Sequence, residues 1–156
     1  IQGIYYFEDE FSEEFIKNHF EFYEKYTVHE SSLSASIHSV VASHINQIDK
    51  SYKYFIRSSR LDLDDYNKEI EQGLHITSMA GSWIALVEGF GGIKVSKEKI
   101  TINPKIPKEW KSYQFNIFYN NQIIKFKVQK DLILINAEKP DKLNIENLSS
   151  KKISYE

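Results

Sequence analysis

Two serines and a histidine, each placed where a helix should begin, are the residues of this chain best suited to hold an anion. Ser31 and Ser32 are adjacent in a polar loop, residues 27–34, ahead of a helix expected over 35–45. A hydroxyl pair beside free backbone N–H groups at a helix start can seat a phosphate. The same residues, with Ser34, can equally do no more than cap the helix, and on physics alone that is the simpler reading. His75 stands at the amino end of an apolar run, where the helix dipole favours negative charge. Between them in sequence lie the carboxylates Asp62, Asp64, Asp65, Glu69 and Glu71. Grouped carboxylates can serve as general acid and base or bind calcium. The EF-hand spacing with its central glycine is missing, so Asp62 and Asp64 are expected to orient Arg57 or Arg60 or to cap turns. Without cysteine, disulfides and thiolate metal sites are excluded, and no metal is expected.

The elements that must position these groups follow from periodicity. Residues 72–92 organise the chain: apart from His75, nothing between 74 and 87 can carry charge, so a helix over 77–90 is expected to be buried on all sides. Ser78, Gly81, Ser82 and Ala85 form a small-residue stripe that admits a close neighbour, while Met79, Trp83, Ile84, Leu86, Val87 and Phe90 supply bulk. The run is too short to cross a bilayer, which needs about 20 apolar residues. Upstream, residues 2–7 read as the tail of an aromatic helix. Ser12 is a plausible N-cap for a second helix, with Glu13 and Glu14 in its first turn. Its aromatics (Phe15, Phe20 and Tyr23 among them) are expected in the core rather than as sugar platforms. Leu33, Ile37, Val40, Val41 and Ile45 give the next helix a buried face, and Asp49 is expected to cap a fourth helix running to Arg60.

After Gly92 the period changes to two. Short strands are expected at 93–95, 100–103, 112–119, 122–129, 132–135 and 143–148, with hairpin turns at Asn120-Asn121 and Lys130-Asp131. The fold class is therefore α+β: helices over 1–92, then an antiparallel β-sheet or sandwich domain over 93–156. A net charge of −2 argues against an electrostatically driven nucleic-acid partner. No signal or lipidation motif is present, so a cytoplasmic protein without membrane association is expected. The chain starts at Ile1 rather than methionine, inside an apparent helix, so it is expected to be a fragment or processed product.

Five motifs in series carry a resemblance: Val-His-Glu-Ser-Ser-Leu-Ser at 28–34, Arg-Leu-Asp-Leu-Asp-Asp-Tyr-Asn at 60–67, Gly-Leu-His-Ile-Thr-Ser-Met-Ala-Gly-Ser-Trp at 73–83, Phe-Gly-Gly-Ile at 90–93 and Asn-Pro-Lys-Ile-Pro-Lys-Glu-Trp at 103–110. Together they resemble the carboxyl-terminal part of the disaccharide phosphorylases of glycoside hydrolase family 65. The resemblance implies the last helices of an (α/α)6 barrel followed by a β-sandwich. It implies an inverting phosphorolysis, in which inorganic phosphate, the co-substrate, attacks an α-glucoside and releases β-glucose 1-phosphate. By the family motif Ser31, Ser32 and His75 bind phosphate, His29 and Glu30 line a sugar subsite, and Gly73 and Gly81 permit close backbone approach. No cofactor is implied. The family's general-acid glutamate and a Lys-Gln pair lie upstream, so this chain alone is expected to be inactive. Where relatives carry Pro-Cys after the serine motif, Ala35-Ser36 stands here. The His29-Glu30 pair leans toward maltose, since relatives with other linkages tend to carry Asp there.

Rival expectations are a hydrolase of the same fold with Glu30 as base, a phosphorylase for trehalose, kojibiose or nigerose, and a carbohydrate-binding module using Trp110, Tyr113 and Tyr119. Expected partners are a disaccharide, phosphate and the upstream part of the same protein, with assembly as a homo-oligomer.

Overall fold

The computed structural model describes residues 1–155, which divide into two compact units, Ile1–Gly89 and Phe90–Glu156. In the first, α1 (Gln2–Tyr6) and α2 (Glu13–Tyr23) lead to α3 (Ser34–His44), α4 (Ile48–Ser59) and α5 (Ile76–Ile84), the last continuing as a π-turn, Ala85–Phe90. Ser12 caps α2, its Oγ accepting from Phe15 N–H at 3.2 Å. Asp49 lies within the first turn of α4, and Gln47 occupies the cap position without a side-chain bond. Ile16 and Phe20 of α2 join Ile4, Val41, Ala42 and Ile45 in an apolar cluster. The remaining α2 aromatics are largely exposed, contrary to the expectation of a core role. Phe11 and Phe15 stack at 4.7 Å and Phe15 and His19 at 3.7 Å, so the rings satisfy one another along one helix face.

The helix buried on all sides is α3 rather than α5: every residue from 35 to 43 is buried. Its buried serines make this possible because each hydroxyl is satisfied, Ser36 by the Leu33 carbonyl before the helix and Ser39 and Ser43 by groups on other elements. Ser39 Oγ donates to Ser51 carbonyl and Ser51 Oγ to Ser39 carbonyl, both at 2.8 Å, clasping α3 to α4. Ser43 Oγ donates to Gly89 carbonyl at 2.8 Å. A second clasp joins α4 to α5, where Ser78 Oγ donates to Ser58 carbonyl at 2.7 Å. On α5 the small stripe turns inward, Ser78, Gly81 and Ala85 being buried, whereas Ile76, Met79 and Trp83 are exposed. Small residues let helix axes approach closely, so they, and not the largest side chains, occupy the contact.

The second unit holds two sheets, ordered β1 (Lys94–Val95), β2 (Ile100–Ile102), β6 (Ile145–Asn147) and β3 (Ser112–Tyr119), β4 (Gln122–Gln129), β5 (Leu132–Asn136), β7 (Lys152–Tyr155). The β3–β4 hairpin turns at Asn120 and Asn121, both with positive φ (49° and 61°), as a two-residue turn requires. Phe115, Ile124, Phe126, Val128, Ile133 and Ile135 are buried, and Gln114, Asn116, Lys125 and Lys127 alternate outward. Both sheets are mixed rather than purely antiparallel, because β2 pairs with β6 and β5 with β7 in parallel. The chain leaves β5 for the other sheet and returns, and each crossing delivers a strand in the parallel sense. Strand β7 was not expected from the sequence: its four residues, Lys-Ile-Ser-Tyr, alternate, but over too short a run to announce a strand.

Candidate phosphate and sugar site

His75 occupies the N-cap position of α5, two residues after Gly73, which takes a left-handed φ of 109°. That φ is what glycine supplies there, since nothing lies within 4 Å of the space a side chain would fill. Asp62, thirteen residues earlier, grips His75 twice: Oδ2 accepts the backbone N–H at 2.9 Å and Oδ1 meets ring Nδ1 at 2.5 Å. Asp62 therefore does not orient an arginine, as expected from sequence. Asp64 does that for Arg60, accepting from Nε at 2.8 Å and Nη2 at 2.6 Å. The other ring nitrogen of His75, Nε2, stands 3.5 Å from the Glu69 carboxylate. The hydrogen bond to Asp62 raises the His75 pKa above the usual imidazole value and lowers that of Asp62.

The loop that brings Asp62 back to His75 is set by backbone conformation. Asp65 and Lys68 take positive φ (45° and 58°). Asp65 Oδ1 accepts the N–H of Glu69 at 3.0 Å and of Ile70 at 3.2 Å, closing the turn before the short 3-10 segment Ile70–Gln72.

Ser31 is exposed and Ser32 half-buried at the approach to α3. The Ser31 carbonyl accepts Ser34 N–H at 2.9 Å, and its Oγ accepts Leu33 N–H at 3.4 Å. Among the described residues, the Ser32 hydroxyl has no partner in the chain. The N-cap residue of α3, Leu33, offers no side-chain cap bond, and Ser31 engages the turn just ahead of the helix. Ser34 Oγ pairs with His29 Nδ1 at 2.9 Å, and Ser36 Oγ donates to Leu33 carbonyl at 2.9 Å.

His29 takes a positive φ of 57° and packs its ring edge-on against His38 (4.5 Å) and beside Tyr54 (4.9 Å). Burial, and next the Arg57 guanidinium, push its pKa down. Arg57 donates to the His29 carbonyl at 3.3 Å and lies 5.6 Å from the Tyr66 ring centre. Glu30 is exposed. Sequence reading missed the Arg57–His29 contact, and no local signal announces it.

No hydrogen bond joins Ser31 or Ser32 to His75 among the described residues. The two helices that carry them meet at Gly81. A side-chain carbon there would lie 2.6 Å from Ser36 Cβ and 3.7 Å from Leu33 Cδ1. Gly81 is thus a close-packing glycine between α3 and α5, in contrast to Gly73 with its open surroundings. Among the described residues no group of three or more His, Cys, Asp or Glu could hold a metal ion, and no helix is long and apolar enough to cross a membrane.

The aromatic residues expected to stack on sugar do not form a platform. Tyr113 and Tyr119 are buried, and Tyr113 Oη donates to Phe90 carbonyl at 2.6 Å, with its pKa pushed up by burial. Trp110 packs against Phe90 at 5.0 Å.

The described chain is thus a helical unit followed by a two-sheet domain. The chain belongs to glycosyl hydrolase family 65: the central catalytic domain matches residues 1–84 and the C-terminal domain residues 93–147. It is 45% identical over 145 residues to the maltose phosphorylase of Bacillus subtilis, covering 93% of this chain and 19% of that protein. To an alpha,alpha-trehalose phosphorylase of Geobacillus stearothermophilus it is 38% identical, covering 92% and 19%. To a kojibiose phosphorylase of Halothermothrix orenii it is 32% identical, covering 94% and 19%. A solved structure described as "Putative kojibiose phosphorylase from human microbiome" superposes with a TM-score of 0.86 at 37% identity, over 95% of this chain and 20% of that one. The chain spans about a fifth of the length of the curated relatives it matches.

Proposed function

We propose that this chain is the carboxyl-terminal part of an inverting disaccharide phosphorylase that cleaves maltose with inorganic phosphate. A phosphate oxygen attacks the anomeric carbon while the glycosidic C–O bond breaks. The departing oxygen takes a proton from a general acid outside this chain, giving β-glucose 1-phosphate and glucose. An inverting glycosidase needs a base to activate water on the face opposite the acid. Phosphate is already a nucleophile, so that base gives way to groups that hold an anion. Ser31, Ser32 and the uncapped start of α3 form one wall, His75 the other, and His29 and Glu30 lie at the sugar side.

The observation that carries the reading is the His75 imidazole, held by Asp62 at the start of α5, a helix whose Gly81 lies against Ser36 and Leu33. The choice of maltose rests on the greater identity to the Bacillus subtilis relative and on the His29-Glu30 pair. The exposed Ile76, Met79 and Trp83 of α5 fit a helix that belongs to a larger helical domain, since apolar patches of this kind mark contact surfaces.

The test uses the full-length protein with maltose, trehalose and kojibiose, each with and without phosphate. Phosphate-dependent release of β-glucose 1-phosphate, fastest from maltose, is expected. Free glucose without phosphate dependence would replace the reading with hydrolysis, and faster turnover of trehalose or kojibiose would reassign the substrate.

A further inference from the structure

We propose that Asp62 is the positioning residue of the anion site: its carboxylate clamps the backbone and ring of His75 so that Nε2 is presented, with its proton, to the bound phosphate. This rests on the phosphorylase reading and adds a residue to it. The geometry is two-point. One carboxylate oxygen takes the His75 N–H at 2.9 Å and the other the ring Nδ1 at 2.5 Å, which fixes both the place and the rotation of the imidazole. With Nδ1–H donated to Asp62, Nε2 is the edge turned away from the clamp, where the Glu69 carboxylate stands at 3.5 Å. A neutral ring in that tautomer would present a lone pair to an anion, so binding requires the second proton.

The surrounding charges favour that proton. Asp62 from the loop after α4 and Glu69 from the turn before α5 both face the ring. Arg60 is paired with Asp64, and Arg57 bonds the His29 carbonyl and lies over the Tyr66 ring, so both guanidiniums are directed at other partners than the His75 ring. Glu69 already stands 3.5 Å from Nε2. An oxyanion is thus accepted on that edge, and phosphate would take the place of the half-buried Glu69 carboxylate.

The experiment follows His75 itself and the kinetics together, in the full-length protein. The Asp62→Asn variant keeps the shape and removes the charge; Asp62→Glu keeps the charge and serves as the conservative rescue. His75 is titrated by its imidazole NMR signals, and phosphate and maltose KM values are measured across pH, with sulfate as a competitive inhibitor of constant charge. Removing the opposite charge at hydrogen-bond distance should move the His75 midpoint down. Where the protonated form alone binds, each unit lost raises the apparent phosphate KM up to about tenfold above that midpoint.

We expect Asp62→Asn to raise the phosphate KM and weaken sulfate inhibition, to shift the alkaline limb of both to lower pH, and to leave maltose KM nearly unchanged. Asp62→Glu should restore part of the loss. If Asp62→Asn moves the His75 titration but neither phosphate nor sulfate binding, Asp62 does not position the anion site and the proposal falls. If the His75 midpoint is the same in both proteins, the clamp has no electrostatic role and the proposal falls on that ground. If the parent protein turns over maltose without phosphate, it is the phosphorylase reading that has failed, whatever the titration shows.

Discussion

Replacing Gly81 with alanine tests the contact that holds α3 and α5 together. In a helix interior alanine is favoured over glycine by about 1 kcal/mol, so on an exposed helix this change would stabilise. Here the new methyl would sit 2.6 Å from Ser36 Cβ and closer still to its Oγ, where carbon atoms prefer about 3.5–4.0 Å. Rotating the Ser36 hydroxyl breaks its bond to Leu33 carbonyl and leaves the Cβ clash untouched, because Cβ moves only with the backbone. The helices must separate by roughly 1 Å, and overpacking of this kind costs about 1–3 kcal/mol. The net expectation is a loss of up to about 2 kcal/mol in urea unfolding followed by Trp83 and Trp110 fluorescence. Ser36→Gly in the Gly81→Ala background should recover at least about 1 kcal/mol beyond additivity, whereas Ser36→Ala should recover little. In the full-length protein the same shift should raise the KM for phosphate more than that for the disaccharide, since Leu33 adjoins the serine pair. A Gly81→Ala protein as stable as its parent, with no coupling to position 36, would refute the claim that this close approach sets the helix spacing.

Further outcomes follow from the buried polar groups. Ser39→Ala removes one half of the α3–α4 clasp and leaves buried Ser51 acceptors short of a donor, for an expected loss of about 1–3 kcal/mol. The Ser39→Ala, Ser51→Ala pair should cost less than the sum of the singles, and strict additivity in a double-mutant cycle would count against a reciprocal clasp. His38 is buried; its Nδ1–H donates to Ser34 carbonyl at 2.8 Å, its Nε2 has no partner, and burial lowers its pKa to about 4. The folded state therefore holds this ring neutral while the unfolded chain protonates near 6.5. Its contribution is complete above about pH 6.5 and is lost as pH falls toward 4, amounting to about 3 kcal/mol. The slope of stability against pH in that window should flatten in His38→Asn, and a His38 NMR midpoint near 6.5 in the folded protein would overturn the argument.

Much of the secondary structure was legible because its signals are local. Ser12 announced a cap, the two-residue alternation announced β3 and β4, and Asn120-Asn121 announced their turn; each depends on side chains a few residues apart. The motif at 28–34 and the apolar run after Gly73 likewise placed Ser31, Ser32 and His75 at helix starts. The failures share a cause. An all-apolar α5 looked buried on every side, yet the same composition is compatible with burying only its small stripe, and periodicity does not say which neighbour arrives. The α2 rings looked like core for the same reason. Strand β7 alternates over only four residues, too few to be seen before β5 supplies its partner.

The sequence by itself determined an α+β chain, a change of period after Gly92, and which residues stand at the starts of α3 and α5. Only the tertiary structure decided that α3 and not α5 is the enclosed helix, that Asp62 serves His75 and not an arginine, and that Gly81 lies against Ser36. The reason is that local preferences act over a turn or two of chain. The pairing of Asp62 with His75 depends on two positive-φ residues, Asp65 and Lys68, and on Gly73 folding thirteen residues back on themselves. The enclosure of α3 depends on serines whose partners lie on other helices.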